Sequence, residues 1–362
     1  MKNIFSYFFL NAIKSDRLSC PLVISVFLLF ATISAKSQGC SDAGLCSFGS
    51  LNLLEQKFYI IAPDVVVLTE VDATDSVGFT IRKMPEGTNL SKQKSVDTTA
   101  GLLSFEFSSY YGIGEQNTSV FINQLEGNYR LIDRKVYAQI KLPYAVISGN
   151  LGNTSGLGDV TMSLSYILFD KARSNLSLAA GVKIPSNTSS LSKNNRPLPM
   201  VYQTSLGSTD LLLGSRLIWG KWDFTVGYQH SFNANENRYL HLSNIIDSET
   251  YNGYYESNGL RRRDDVLFRI NRKYQVKKAV LNTGLLLIYH LQNDDVTDAS
   301  GKRVKAIGSK GLTLNLNVGG SIPISPKLDF TFILAKPVIQ RKYVSDGLAR
   351  SFVGVAGLKR KF

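Results

Sequence analysis

The chain has 362 residues, 44% of them hydrophobic and 19% charged, and a formal charge of +13. Its mean hydropathy of −0.03 excludes a bundle of membrane helices, because each span needs about 20 consecutive apolar residues. Three His and three Cys leave little material for a metal cluster or a His-based catalytic centre, and 29 Gly with so few charges argue against long disorder.

In chain order, Lys14 and Arg17 precede an uncharged run from Leu18 to Ala35 whose apolar core is Pro21 to Ala31. Ala35-Lys36-Ser37 places small residues at −3 and −1 of a cleavage site before Gln38. A charged start, a short apolar region and a small-x-small site predict a cleaved secretory signal over residues 1–37. The alternative is a single membrane anchor, for which the run is short. Lipoprotein cleavage before Cys40 would put Ser37 where an aliphatic residue belongs. Removing the signal takes away Lys2, Lys14, Arg17 and Lys36 but only Asp16, so the mature chain stays strongly basic.

A segment over 38–99 follows. Its Cys40 and Cys46 predict a small disulfide loop, since an exported chain meets an oxidising compartment. A redox pair would more typically have CxxC spacing. The apolar runs Phe58 to Ile61 and Val65 to Leu68, and the polar stretch Asn89 to Thr99, suit a periplasmic hairpin or a plug in a lumen equally.

From about residue 100 the pattern has period two. Leu312, Leu314, Leu316 and Val318 share one face, with Thr313, Asn315, Asn317 and Gly319 on the other. Trp222, Phe224, Val226 and Tyr228 alternate with Asp223, Thr225, Gly227 and Gln229. Successive strand side chains point to opposite faces, so each such strand is apolar on one side and wet on the other. About twelve segments read this way: 101–113, 119–131, 135–149, 157–169, 174–187, 209–219, 222–233, 263–274, 278–292, 311–325, 328–340 and 350–362. Many exceed the usual five or six residues of soluble strands and match the roughly 9–11 of a tilted bilayer-spanning strand.

The connections alternate in length. Short ones fall at Asp133-Arg134, Asp170 to Ser174, Gly220-Lys221, Val276-Lys277 and Ser325 to Lys327. Longer ones fall near 188–208, 234–262 and 293–310, with smaller loops near 114–118, 150–156 and 341–349. Tight turns at one end and long polar loops at the other predict an all-β chain: a transmembrane antiparallel β-barrel of about 12 strands over 100–362, of the outer-membrane type. A soluble sandwich or jelly roll also alternates, but with shorter strands. The terminal Phe362 closes the last strand and resembles the signal read by the barrel assembly machinery of a Gram-negative outer membrane.

Four stretches carry a resemblance: Gly39 to Cys46, Asn153 to Asp159, Leu198 to Asp210, and Asp346 to Phe352. Together they resemble a transporter-like family of outer-membrane barrels, loosely similar to the meta-pathway phenol-degradation barrels. The resemblance covers 39–46 and 100–362 and leaves 47–99 unmatched. It implies a barrel that imports small, aromatic molecules, and it supplies no catalytic residue and no cofactor.

The alternation aims Glu106, Lys141, Lys183, Asp223, Arg269 and Lys273 into the lumen, with Arg216 a further candidate. This basic-leaning set suits a small anionic solute, unless the charges merely pair among themselves and with Asp159 and Asp265. Arg261, Arg262, Arg263, Lys302, Arg303 and Lys305 gather at the outer mouth, where basic groups meet the phosphates of outer-membrane lipid and lipopolysaccharide. Nucleic acid is not an expected partner of an exported barrel, despite the charge. The alternative to a channel is a closed structural or adhesive barrel. Its 234–262 loop holds Tyr239, Tyr251, Tyr254 and Tyr255, a composition suited to recognition. A lipid hydrolase would need a Ser beside His230 or His290. These lie next to Tyr and Phe and read as interfacial girdle residues, so no enzyme activity is expected.

Overall fold

The computed structural model describes residues 103–131, 135–171, 173–243, 247–348 and 350–362. The expected signal over 1–37, the Cys40–Cys46 loop and the rest of 38–99 lie outside the described residues.

Twelve antiparallel staves close into a barrel. They are β1 (Leu103–Ile113), β2 (Ser119–Arg130), β3 (Val136–Gly149), the broken pair β4 (Gly152–Leu157) and β5 (Val160–Lys171), and β6 (Ser174–Ile184). After a small hairpin of β7 (Ser192–Lys193) and β8 (Arg196–Pro197) come β9 (Asp210–Trp219), β10 (Trp222–Ser231), β11 (Asp265–Val276) and β12 (Ala279–His290). A second loop hairpin, β13 (Asp295–Thr297) with β14 (Arg303–Lys305), precedes β15 (Gly311–Ser325), β16 (Leu328–Ile339) and β17 (Phe352–Lys361). Each stave pairs with its neighbour in sequence, and β1 pairs with β17 from Ser104↔Lys361 to Ile113↔Phe352. Closure removes the open edges that hydrocarbon cannot satisfy.

The expected segments match these staves to within a few residues. One difference is β4, expected as part of a loop. Gly152 to Leu157 pairs with the end of β3, from Gly149↔Gly152 to Tyr144↔Leu157. The stave breaks at Gly158-Asp159, where the Gly158 amide donates to the Pro143 carbonyl at 2.9 Å. β5 then takes over on β3 at Lys141↔Thr161.

The outer surface is apolar: Phe107, Leu125, Tyr144, Leu164, Leu213 and Val226 all point outward and are exposed. In a bilayer each such side chain leaves water, a gain of about 1.5–3 kcal/mol apiece. The inward residues of the same strands are small or polar. Thus Ser163 and Ser165 alternate with Leu164, and Thr225 with Val226. Two-residue turns sit at the short-turn end. Gly220, at φ 58°, supplies the left-handed backbone between the paired Trp219 and Trp222. Lys277 adopts φ 52° in the corresponding turn between β11 and β12.

Candidate functional site

At the long-loop end the loops fold inward. Tyr202 and Val201 from the 185–209 loop, with Tyr239, Tyr251 and Tyr254 from the 232–264 loop, pack on the inner wall residues Tyr110, Val120, Ile147, Val353 and Val355. Tyr202 is fully buried and acts as a post. Its hydroxyl accepts from the Leu151 amide at 3.0 Å and bonds the Tyr254 hydroxyl at 3.0 Å, while the two rings meet edge-on at 5.6 Å. The Tyr239 hydroxyl donates to the Tyr251 carbonyl. The closed-barrel alternative makes the loop tyrosines a recognition surface, but Tyr239 at 0%, Tyr254 at 2% and Tyr251 at 4% exposure form a core. Aromatic rings leave water when a wall is within reach, and the wide mouth of a twelve-stave barrel supplies one.

Three of the four stretches behind the family resemblance meet in this mouth. Asp159 accepts from the Ser205 hydroxyl at 2.5 Å and from the Leu206 amide, while Thr154 donates to the Tyr202 carbonyl at 2.6 Å. Gly347, at φ 64°, lies so close to the Met200–Val201 backbone that a Cβ would run into the Val201 amide. The first stretch, 39–46, lies outside the described residues.

Beside the tyrosines lies a buried ionic hub on β9, β11 and the last loop. The Arg262 guanidinium faces Asp210 at 3.2 Å, Asp265 at 3.3 Å and Asp346 at 3.5 Å. Lys183 reaches Asp210 at 3.3 Å, and Arg341 reaches Asp346 at 3.2 Å. Burial raises the Asp346 carboxyl, but Arg341 and Arg262 outweigh it and bring it down to about 2. Sequence reasoning missed the hub. It assigned Arg262 to an exposed mouth patch, yet the residue is buried between the loops and the wall because three carboxylates surround it. It also read His290 as a girdle residue. Since Tyr289 faces outward, the next residue must face inward, and the His290 ring nitrogens meet Asp265 at 2.7 Å and Asp294 at 2.8 Å.

The rest of the expected mouth patch stays near the surface. Arg261, Lys302 and Arg303 are exposed, with Arg303 donating to the Gly259 carbonyl. Arg263 and exposed Lys305 both pair with Asp295, Lys305 at 2.6 Å.

Deeper in the barrel the expected lumen residues face inward in two groups. On β2 and β3, Lys141 approaches Glu126 at 3.8 Å, and Gln139 donates to Glu126 and Asn128. Glu106 on β1 accepts from Thr331 of β16 at 2.7 Å. On β9 to β11, Arg216 donates through Nε and Nη2 to Asp223 at 2.9 and 2.5 Å, and Lys273 meets the same carboxylate at 3.2 Å. Arg269 is buried at 5% exposure and shares Thr225 with Arg216 as a cross-strand neighbour. Lys183 stands apart from both, in the hub. Several inward polar atoms have no hydrogen-bond partner among the described residues: Arg216 Nη1, Ser163 Oγ, Ser165 Oγ, Asn175 Oδ1 and both amide atoms of Asn315.

The histidines have carboxylate or carbonyl partners. His230 faces Asp264 at 2.7 Å on the outer wall, His241 bonds the Tyr254 carbonyl at 2.8 Å, and His290 is clamped by its two aspartates. No serine hydroxyl is among their hydrogen-bond partners in the described residues, so the arrangement a hydrolase needs is not assembled there.

No family model matches the chain, and no curated protein sequence matches it either. Among solved structures, an outer-membrane channel from Pseudomonas putida F1 is similar at 15% identity and a TM-score of 0.52, covering 73% of this chain and 96% of that one. The NanC porin is similar at 10% identity and a TM-score of 0.44, covering 71% of this chain and all of the other. The translocator domain of the autotransporter NalP from Neisseria meningitidis follows at 11% identity and a TM-score of 0.38, covering 72% and 88%. At 15% identity what is shared with the Pseudomonas channel is the barrel fold. With its apolar exterior and closed antiparallel wall, this chain is a twelve-stranded transmembrane β-barrel.

Proposed function

We propose that the protein is a channel of the Gram-negative outer membrane that passes a small solute along the polar wall between the loop-filled mouth and the short-turn end. One observation carries this reading. Below the hub the inner wall displays cations in excess, with Lys141, Arg216, Arg269 and Lys273 against Glu106, Glu126 and Asp223. A barrel that only needed to be filled gains nothing from buried charge, because desolvating ions costs several kcal/mol each. An anionic solute suits this wall, and an aromatic one suits the family resemblance. In the same reading residues 1–37 direct export and Cys40 and Cys46 form a disulfide. Residues 38–99 stand before the barrel or inside it. The Phe362 strand engages the assembly machinery, and Arg261, Arg263, Lys302, Arg303 and Lys305 meet lipopolysaccharide phosphates. Catalysis, cofactors and nucleic acid have no place in it.

The test is planar-bilayer conductance and liposome swelling with the full chain. Solute-dependent swelling is expected, and silence with every solute would remove the channel. A second reading is favoured by the packed mouth itself: a closed barrel that holds its loops as a surface platform. Deleting residues 236–258 separates the two. The deletion raises conductance in a channel and changes nothing in a closed barrel.

A further inference from the structure

Arg216 is held in an unusual way for a residue that merely neutralises a carboxylate. A guanidinium has two edges that take an oxyanion in parallel: Nε with Nη2 on its side, and Nη1 with Nη2 at its end. Asp223 occupies the side edge through Nε at 2.9 Å and Nη2 at 2.5 Å. Asp223 leaves the end edge unused. Arg216 is 3% exposed and its Nη1 has no hydrogen-bond partner among the described residues. A buried donor left unpaired costs about 1–3 kcal/mol, so keeping one in the middle of a wall calls for something that uses it.

The surroundings say what fits. Lys273 shares Asp223 at 3.2 Å, so two cations stand against one carboxylate. Arg269 sits across Thr225 from Arg216, about two strand spacings or 10 Å along the wall. The local balance is positive, while the fixed charge of Asp223 beside the open edge disfavours a dianion. A planar monoanion matches the open edge in shape and charge. Resting on the channel reading, we infer that Arg216, supported by Lys273 and Arg269, forms a station in the lumen that binds a small carboxylate through the end edge of its guanidinium. Asp223 then acts as the positioning residue, holding the side edge so that Nη1 is left for the anion. Lys273, whose side chain is partly exposed, lies nearer the short-turn end and receives the anion on that side.

The experiment uses the full chain folded in detergent micelles. Thermal unfolding midpoints, read from the heat-dependent shift in gel migration, are compared in sodium acetate and sodium chloride at equal ionic strength. A ligand that binds only the folded state raises the midpoint. Arg216→Lys keeps the charge opposite Asp223 and loses the fork. General salt effects are common to both proteins, so the difference between them is the signal. The acetate-specific shift is expected in the wild type, with affinity falling at least fivefold in Arg216→Lys. The paired variant Arg216→Gln with Asp223→Asn, which leaves no unmatched charge, should lose the shift too. An equal acetate effect in all three would overturn the station, as would a larger shift in sodium phosphate than in acetate. Bilayer currents in potassium acetate report separately on the channel: a fork-dependent shift without current keeps the station and removes the channel, and current without the shift does the reverse.

Discussion

The two halves of the lumen are filled by opposite means. The mouth is packed by its own loops, and its central polar groups have partners. Tyr202 bonds three neighbours, Asp210 takes Ser208, Gln229, Lys183 and Arg262, and Asn237 bridges the Ser189 and Leu198 carbonyls. Among the described residues the deeper wall keeps polar atoms without protein partners, on Arg216, Asn315, Ser163 and Ser165. Burial is similar in the two places, and the mouth has fewer buried atoms without a hydrogen-bond partner among the described residues, Glu115 Oε1 and Arg263 Nε being two of them. The mouth is therefore built for its own stability, and the deeper wall holds donors and acceptors in reserve.

The strongest way to break this comparison is at the hub. Arg262→Met leaves Asp210, Asp265 and Asp346 buried without their shared cation. Removing one partner from a buried ionic group costs about 3–5 kcal/mol. The expected result is a large drop in the unfolding midpoint, with a rise in bilayer conductance as the loops loosen. An unchanged midpoint would mean that the hub does not hold the mouth. Next in size is Tyr202→Phe, which keeps the ring contact with Tyr254 but strips the Leu151 amide of its acceptor. An orphaned amide costs about 1–3 kcal/mol, measurable in the same unfolding assay.

The two halves were also unequally legible. The wall follows one local rule, period two, so the inward aim of Lys141, Asp223, Arg269 and Lys273 could be read from neighbours such as Trp222 and Phe224. The mouth depends on contacts between residues far apart in sequence, such as Thr154 with Tyr202 or Arg262 with Asp346. No local pattern encodes those. β4 escaped notice for a related reason. Gly152-Asn153-Thr154-Ser155-Gly156 has no apolar face: Thr154 meets the infolded loop, and the exposed Asn153 and Ser155 are polar. Only His290 was legible and misread, since the parity set by Tyr289 already turned it inward.

A pH-dependent effect belongs to the loop between β1 and β2. Burial, the largest influence, pushes the Glu115 carboxyl up to about 8 from 4.5, against the opposing pull of a Tyr255 amide bond and Arg350. The folded state therefore holds a proton that the unfolded chain releases. Its contribution is complete below about pH 4.5 and is lost as pH rises towards 8. Glu115→Gln mimics the protonated form and should flatten that part of the stability profile between pH 5 and about 8, as read by unfolding midpoints across the range. A parallel decline in both proteins would place the pH dependence elsewhere.

The smallest expected effect is the sharpest test. Asn315 is fully buried on β15, and both atoms of its side-chain amide lack a partner among the described residues. If the deeper wall were structural in the sense of the mouth, Asn315→Leu would cost as much as Tyr202→Phe. If its polar atoms are held in reserve, the folded protein already carries their desolvation, and an apolar side chain of similar volume is neutral or stabilising. The midpoint should stay level or rise, while solute-dependent swelling should slow, because a polar step on the wall has been removed. A loss of stability without a change in permeation would make Asn315 part of the scaffold and erase the distinction between the two halves.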